Sequence, residues 1–438
     1  MSLQAEDYLG AVTVIISLSE KDYAANEAPP PLTYMLPRSS VLLAVRDEVQ
    51  RFFAPFTIPQ AGLAPLIWLT HNDEPVPWQY PVGAIKDSIN ALTIMEYGGS
   101  FCSPLGGVLC PAAQYPAVYT TPLRLQARFT CVHADKPPTI PCPGQEDAVP
   151  GRSNEQAIRE FLKQIIKGTH SAMYGNIKTL MDARSEVIND ILNLSMCLST
   201  GEPFVHALRL HRERVAALSR AAGKPQNVVL MINLPFAPNY LHFSVHRVPL
   251  MSRCNTVAGE SSNLQDCSSS IPPCHRVDLV DGSDTCGSIY DTSVTLPAAY
   301  GESKSEPLAK SFGEVLWRAF FYLHRRWCNT VDGNPTDSRC SSFFRAISPF
   351  YTGLDDVSCL DGQLTTRMEE LMHKFTSAGD AVDTETTLTV QLDKLPGPTR
   401  RLCFMLQGVC PPLHTPVGYL IDRFGSADGR LYVTLALL

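Results

Sequence analysis

The sequence contains two close pairs of a thiol and an imidazole, the side chains that serve as nucleophile and base in thiol enzymes. Cys131 lies two residues before His133, and Cys274 directly precedes His275. A nucleophile and its base must meet in space, and proximity along the chain does not ensure this. The sequence also lacks the G-x-S-x-G, phosphate-loop and H-E-x-x-H motifs. We therefore expect a protein without an active site of its own. The alternative, a thiol enzyme, predicts loss of activity when the cysteines are alkylated.

Cysteines are also the usual ligands of structural zinc, and four of the 14 crowd one Ser-rich stretch: Cys254, Cys267, Cys274 and Cys286. Their spacings are wide and irregular, and none forms a C-x2-C pair. A variable loop that happens to hold cysteines fits this pattern better than a metal site. We expect neither a metal nor a cofactor.

Length and composition indicate a multidomain globular protein. The 438 residues exceed the usual size of one hydrophobic core, and 45% of them are hydrophobic against 18% charged. The formal charge of −7 does not indicate the excess of basic residues that nucleic-acid-binding proteins have. No segment approaches the ~20 apolar residues that span a bilayer. The apolar run at 11–16 follows Glu6 and Asp7, so it resembles a buried strand rather than an export signal, and we expect a cytoplasmic protein with reduced thiols.

The N-terminal part, residues 1–134, has the element order of a ubiquitin-like (β-grasp) domain: a strand pair, a helix and a further hairpin. Alternating apolar residues predict strands, and a helical period appears once, before Pro55. The predicted elements are strands at 12–18, 32–36, 65–69, 76–80 and 123–129, a helix at 41–53, a turn at 71–74 and an inserted loop at about 97–120.

A Pro/Gly-rich linker at 135–152 precedes a helix-rich domain at 153–224. Ser153 with Gln156 forms a capping box, and an apolar stripe follows it. Lys167-Gly168 is typical of a helix C-terminus, so the first helix is predicted to end there. Two more helical patterns follow, one through Leu180 and Ile191 and the other through Val205 and Leu218.

Residues 225–438 predict a second β-grasp domain that insertions at about 250–308 and 326–384 divide. Thr415 and Pro416 predict an N-cap and a first helical position. The predicted elements are strands at 240–248, 388–392, 403–406 and 431–435 and helices at 312–323 and 417–424. The predicted fold is thus α+β, with two ubiquitin-like domains flanking a helix-rich domain.

Several short motifs resemble those of the autophagy-related protein 5 family. Leu-Pro-Arg-Ser at 36–39 resembles a Leu-Pro-Arg strand end of the family. The family also has an Ile-Trp … Lys-Trp-His-Tyr-Pro-Ile-Gly signature. The similar residues here are Ile-Trp at 67–68 and Pro-Trp-Gln-Tyr-Pro-Val-Gly at 77–83. Pro-Cys-Pro at 141–143 precedes the helical region as a Cys-Pro does in family members. Near the C-terminus, Gln-Gly-Val-x-Pro-x-Leu-x-Thr-Pro at 407–416 is similar to the segment before the family's final helix. The resemblance covers both ends and the middle but not the insertions.

The resemblance implies a lysine that accepts the ubiquitin-like autophagy-related protein 12. The family's acceptor ends a Phe-x-x-x-Leu-Lys-Glu-Ala segment, and Phe161-x-x-x-Ile165-Ile166-Lys167-Gly168 is similar to it. This chain departs from the family after Lys167, where Gly-Thr-His replaces Glu-Ala-Ala and the acidic neighbour is absent. Lys163 and Lys178 are alternative acceptors. A lysine in the last turn of a helix is also favoured by the helix dipole alone.

The resemblance further implies a non-catalytic scaffold. It would bind a coiled coil like autophagy-related protein 16 in a groove that all three domains share, and it would promote transfer of autophagy-related protein 8 to phosphatidylethanolamine. The expected location is the cytoplasm and, peripherally, the phagophore assembly site membrane. The alternative is a non-covalent ubiquitin-like binding module, in which Lys167 could be replaced without loss.

Other charged and aromatic residues allow two interpretations each. Arg209, Arg212 and Arg214 could contact acidic lipid or a partner, although a solvated helix face is the commoner meaning of such a run. Trp68 and Trp78 are more typical of a core or a domain contact than of a binding platform.

Overall fold

The computed structural model describes residues 10–24, 27–57, 67–97, 121–129, 154–235, 240–250, 310–330, 338–351, 363–377 and 402–437. In this part of the chain two mixed sheets lie on either side of a helical segment, so the fold is α+β with two ubiquitin-like domains flanking a helix-rich domain. The domain boundaries predicted between 130 and 153 fall outside the described residues.

The first sheet is built by five strands in the order β2-β1-β5-β3-β4. The central strand β1 pairs antiparallel with β2 and parallel with β5, which is β-grasp topology. Val12, Val14, Ile16 and Leu18 of β1 are buried, so the predicted period of two does place one face in the core. The strands are β1 Ala11–Leu18, β2 Leu32–Pro37, β3 Trp68–His71, β4 Glu74–Pro75 and β5 Leu123–Arg128.

Among the described residues, two helices accompany this sheet: α1 Arg46–Phe53 and α2 Val82–Tyr97. Helix α1 lies within the predicted helix at 41–53 and follows a short 3-10 turn. The sequence patterns do not predict α2, and the strand expected at 76–80 is wrong, because those residues lead into α2 without pairing in a sheet. Helix α2 contacts the first sheet through β1 and β2 and the strands β8 and β9 of the second sheet, which are defined below. Residues on all its sides are therefore buried.

The helix-rich domain contains α3 Asn154–Tyr174, α4 Lys178–Met181, α5 Ser185–Met196 and α6 Glu202–Ala222. The prediction that the first helix ends at Lys167-Gly168 is wrong, because α3 continues for two further turns to Tyr174. The true end is Gly175, whose φ of +78° suits a residue without a Cβ. Packing along both halves of α3 outweighs the cost of about 1 kcal/mol that an interior glycine imposes.

The second sheet has four strands in the order β7-β6-β9-β8, with β6 parallel to β9 and antiparallel to β7. It repeats the β-grasp topology of the first sheet. The sequence patterns do not predict the central strand β6, and all its residues are buried. The strands are β6 Asn227–Asn233, β7 Phe243–Pro249, β8 Leu402–Leu406 and β9 Leu431–Leu437.

In the part of the C-terminal half that the structure describes, the helices are α7 Phe312–Thr330, α8 Ser338–Tyr351, α9 Leu364–Ser377 and α10 Val417–Phe424. The prediction of an irregular insertion at 326–384 is wrong for the described residues there, since α8 and α9 pack on α7. Trp317 and Phe320 of α7 share a core with Phe343 of α8 and Met368 of α9. The N-cap of α10 is Pro416, one residue later than predicted. The predicted loops at 97–120 and 250–308 and the strand at 388–392 lie almost wholly outside the described residues.

Candidate acceptor site and domain junction

Lys167 lies in the interior of α3, two turns before the C-terminal end of this helix. The N-terminal half of α3 contributes Ile158, Leu162 and Ile166 to the core of the first ubiquitin-like domain. This i, i+4, i+8 spacing forms one stripe along the helix. The C-terminal half packs on the second ubiquitin-like domain, where Met173 shares a hydrophobic cluster with residues of β6 and β7. Helix α3 therefore connects the two domains, and Lys167 lies between its two packed halves.

A hydrogen bond fixes the rotation of α3 on the C-terminal domain. Nε of Arg430 donates to Oγ1 of Thr169 at 2.8 Å, and the Thr169 hydroxyl donates to the carbonyl of Ile165 at 3.0 Å. Thr169 lies two residues after Lys167, so at about 100° per residue the two side chains leave nearly opposite sides of the helix. Because Thr169 is held inside, Lys167 is directed outward.

The surroundings of Lys167 leave its amine available. Lys167 is partly buried, and no hydrogen bond or ion pair of its ammonium is found within the described ranges. Gly168 is exposed, and a Cβ built there would meet nothing within 4 Å. The two alternative acceptors differ from it: Nζ of Lys163 lies 2.8 Å from Oε1 of Glu160, and Lys178 is exposed at the start of the four-residue helix α4.

His170, about one turn after Lys167, is the last residue of the Gly-Thr-His segment in which this chain departs from the family. It is only 8% exposed, and its Nδ1 lies 3.2 Å from the carbonyl oxygen of Asn176. Its ring packs on Tyr174 with 4.6 Å between ring centroids. Burial lowers the pKa of His170 below its usual 6.5, while the Asn176 carbonyl acts in the opposite direction. In the sequence, only the i, i+3 spacing indicates that His170 is a neighbour of Lys167 on the helix.

The motifs that resemble the autophagy-related protein 5 family meet in space around Arg38. This side chain is 8% exposed, and its guanidinium donates to the carbonyl of Gly83 at 3.1 Å and to the carboxylate of Asp87. The other oxygen of Asp87 accepts the backbone N–H of Gly408 at 2.9 Å. Gly408 has a φ of +84°, and a Cβ there would lie 3.1 Å from Cζ of Arg38. The buried ion pair of Arg38 and Asp87 therefore joins the two ubiquitin-like domains.

The residues after Arg38 join the first domain to the helix-rich domain. The hydroxyl of Ser40 donates to the carbonyl of Cys197, and the N–H of Val41 donates to the carbonyl of Ser195 at 2.9 Å. A small cleft lies beside these contacts. All three domains line it: Ser39, Val41, Gln79 and Pro81 of the first, Leu162, Ile165, Ile166, Leu192 and Ser195 of the second, and Ser426, Ala427 and Asp428 of the third.

Both tryptophans of the N-terminal domain belong to its packing, as predicted. Trp78 is 2% exposed in the core, and Trp68 is partly buried with the guanidinium of Arg128 5.9 Å from its ring. Arg209, Arg212 and Arg214 of α6 all interact with other groups of the protein. Nε of Arg214 lies 2.8 Å from Asp190, and Arg209 contacts the ring of His206.

The predictions about thiols and zinc remain predictions, because residues 131–133 and all four clustered cysteines lie outside the described residues. Within the described ranges, no three His, Cys, Asp or Glu side chains are grouped so that they could hold a metal ion. Also within those ranges, none of the helices has the length and apolarity needed to cross a bilayer.

Comparison with known proteins relates this chain to a family model, a curated protein and a solved structure. Residues 8–98 match the family model described as Autophagy protein ATG5, UblA domain. Autophagy protein 5 of Dictyostelium discoideum is 29% identical over 80 residues, which are 18% of this chain and 19% of that protein. The chain thus spans about a fifth of the length of this curated relative. The crystal structure of Kluyveromyces marxianus Atg5 aligns with 97% of this chain and 95% of that one, with a TM-score of 0.44 and 13% identity.

Proposed function

We propose that this chain is a member of the autophagy-related protein 5 family, whose UblA domain its residues 8–98 match, and that it is a non-catalytic scaffold conjugated to autophagy-related protein 12. The acceptor is Lys167, which forms an isopeptide bond with the C-terminus of the modifier. The conjugate then promotes lipidation of autophagy-related protein 8 during autophagosome formation. It does so by recruiting and orienting a conjugating enzyme, so this chain needs no catalytic centre of its own.

The observation that carries the proposal is the contrast between the lysines of α3. The ammonium of Lys163 is held by Glu160, whereas Lys167 is directed outward beside the open surface at Gly168. A thioester on another protein must reach the amine of the acceptor. Lys167 meets this requirement for two reasons. The neighbouring Gly168 has no side chain, so the surface beside the lysine is open. Thr169 bonds to Arg430 on the opposite face of the helix, so the orientation of the helix is fixed.

The chemistry at Lys167 is acyl transfer to an amine. The nitrogen attacks the thioester carbonyl, the carbon–nitrogen bond forms, the carbon–sulfur bond breaks, and the thiol of the conjugating enzyme is released. A free lysine has a pKa of about 10.4, so most of it is protonated near neutral pH. The conjugating enzyme supplies the thioester, and the acceptor supplies an accessible amine in a fixed orientation.

The partner of the scaffold is a coiled-coil protein like autophagy-related protein 16, bound as a helix in a groove. The meeting of all three domains at one junction supports this, because Ser40 bonds to Cys197 of the helix-rich domain and Asp87 bonds to Gly408 of the C-terminal domain. Buried contacts around Arg38 hold the domains together, so the junction offers a partner a fixed shape. The conjugate works in the cytoplasm and peripherally at the phagophore assembly site membrane.

A second candidate function keeps the scaffold and omits the covalent bond. Two observations favour it: Lys167 is partly buried, and the acidic neighbour of the family's acceptor is replaced by Gly168. In that case the chain is a non-covalent ubiquitin-like binding module.

The test is a conjugation assay with this chain, the modifier and its activating and conjugating enzymes. Wild type gives a heavier band, Lys167→Arg loses it, and Lys163→Arg retains it. A band that persists in Lys167→Arg contradicts the assignment of the acceptor. Wild type that forms no adduct but still binds the modifier establishes the non-covalent function instead.

A further inference from the structure

Strand β2 is an outer strand of the first sheet, because the strand order begins with it. In the part of the chain that the structure describes, no strand pairs with its outer side. Sheets commonly protect such an edge with charged side chains, prolines or a covering element, since an exposed edge pairs with other strands. Residues 32–37 carry no charged side chain, and Met35 in the middle of them is 60% exposed. This edge is therefore open to a further strand.

The hydrogen bonds on the inner side of β2 determine which of its backbone groups face outward. The register of β1 with β2 continues to Gly10 and Arg38, and the N–H of Arg38 donates to the carbonyl of Gly10 at 3.2 Å. Bonds alternate along an antiparallel pair, so the even-numbered residues of β2 bond to β1 and the odd-numbered residues face outward. On the other side of β1, the N–H of Ser19 donates to the carbonyl of Ala127 in β5 at 3.0 Å, which agrees with this alternation.

Two residues of the edge, Thr33 and Met35, thus direct both their N–H and their C=O groups outward. Prolines bound this window on each side, because Pro31 precedes the strand and Pro37 ends it. Neither proline has an N–H to offer. The carbonyl of Pro37 already accepts the N–H of Ser40 at 3.0 Å. The window therefore fits a short strand and excludes a longer one.

The window is symmetric about Tyr34, and this symmetry indicates which strand fits it. In an antiparallel pair of two β2 strands with Tyr34 opposite Tyr34, Thr33 of each copy lies opposite Met35 of the other. Each such pair exchanges two backbone hydrogen bonds, so all the outward groups of both windows are satisfied. Pro31 of each copy lies opposite Pro37 of the other, where no donor is needed. Because the strand has no charged residue, no like charges face each other.

We propose that two copies of this chain associate through their β2 strands about a twofold axis at Tyr34, so that their first sheets become one continuous sheet. On the exposed face, the Met35 side chain of each copy covers Thr33 of the other. A contact of one short strand is smaller than the roughly 1,200 Å² that stable interfaces bury, so the dimer dissociates on dilution. The proposal uses neither Lys167 nor a modifier, and it is independent of the proposed function.

The test measures self-association of the full chain by analytical ultracentrifugation from roughly 1 μM to roughly 500 μM, a range that covers weak dimers. A reductant keeps the cysteines from forming disulfides. Met35→Lys places a charge in the window, and Thr33→Pro removes an outward N–H without affecting the bonds to β1. The matched control is Met181→Lys, which makes the same change at a methionine of α4 that is 55% exposed. Thermal unfolding of each variant shows whether its fold is kept.

We expect wild type to change from monomer to dimer over this range. Both β2 variants should weaken the dimer at least about tenfold, whereas Met181→Lys should associate as wild type does. Wild type that stays monomeric at every concentration overturns the proposal and leaves the edge to a strand of a different protein. A dimer that persists in both β2 variants, or one that Met181→Lys abolishes, overturns it as well.

A cross-linking experiment tests the register of the pair. Opposed residues in a pair without backbone bonds have Cβ atoms about 4.5–5.5 Å apart, so the two Tyr34 rings lie close enough to couple. The sample is a mixture of isotope-labelled and unlabelled protein, oxidised with a ruthenium photocatalyst and analysed by mass spectrometry. We expect a mixed-label dityrosine that joins Tyr34 to Tyr34. A dimer that is joined through other tyrosines alone overturns the proposal.

Discussion

Among single residues, Arg38 and Asp87 show how the motifs of this chain stabilise the arrangement of its domains. Both are buried, Asp87 to 1% exposure, and they bond to each other and to backbone groups of two domains. Removal of one member of a buried pair leaves an uncompensated charge, which costs more than the pair itself contributes. The electrostatic importance of this contact is therefore best tested by neutralising one side of it.

We predict that Asp87→Asn lowers the free energy of unfolding by about 3–5 kcal/mol. The amide oxygen can still accept the Gly408 N–H, so the change chiefly removes the charge that faces Arg38. The control is Asp73→Asn, since Asp73 also contacts cations, Lys21 and Arg128, but its side chain is 67% exposed. That variant should lose less than about 1 kcal/mol in urea unfolding. Equal losses for the two variants would contradict the view that burial gives this pair its importance.

Among the elements, those with one buried face could be predicted from the sequence and those with two could not. Strand β1 alternates because only one face is in the core, and α10 has the predicted bounds. Strand β6 lies in the centre of its sheet with all residues buried, so it shows no alternation. Helix α2 lies between two sheets, and its apolar residues point to both sides. Long-range packing decides these elements, and a periodicity argument cannot detect it.

The same limit applies to the site. A resemblance assigns Lys167, and neither its spacing nor its helix identifies it. The helix end predicted beside it is wrong, because glycine does not stop a helix where tertiary contacts carry it onward, here to Tyr174. The contact of Asp87 with Gly408 joins residues more than 300 positions apart, and His170 owes its setting to a loop that folds back beyond the helix. Neither could be predicted from a local pattern.

The course of α3 gives a prediction at position 168. Gly168→Ala should raise the free energy of unfolding by about 0.5–1 kcal/mol, because alanine is the better residue inside a helix and its Cβ meets nothing within 4 Å. Chemical unfolding measures the change. Gly175→Ala is the control and should destabilise, since its φ is +78° and its Cβ would lie 3.2 Å from Oε1 of Gln226. A destabilising Gly168→Ala would mean that the helix ends at 168 after all.

For the whole molecule, the packing of three domains encloses histidines that solvent reaches poorly. Burial lowers the pKa of His211 to about 4, with smaller effects of the Ile191 backbone, Arg212 and Asp428. His211 lies on α6 and is 8% exposed. Burial lowers the pKa values of four other histidines in the same direction: His71, His170, His242 and His324.

This burial makes the assembled fold sensitive to acid. A histidine whose pKa is lower in the folded than in the unfolded chain contributes stability that is fully present above about pH 6.5 and is lost as pH falls towards the folded pKa. For His211 that window runs from 6.5 to about 4. From pH 7.5 to pH 5 we expect its contribution to fall by about 2 kcal/mol, at 1.36 kcal/mol per pKa unit. The measurement is urea unfolding at both values.

The matched variant is His211→Gln, which cannot titrate and which keeps an amide in place of the ring. It should lose about 2 kcal/mol less than wild type between pH 7.5 and pH 5, although it is less stable at pH 7.5 because the packing of the ring is lost. His206→Gln removes an exposed histidine of the same helix and should follow wild type at each pH. If His211→Gln shows the wild-type dependence on pH, the pKa of His211 is the same in the folded and the unfolded chain. The junction of the domains then contains a solvated histidine, and the acid sensitivity must arise from other groups.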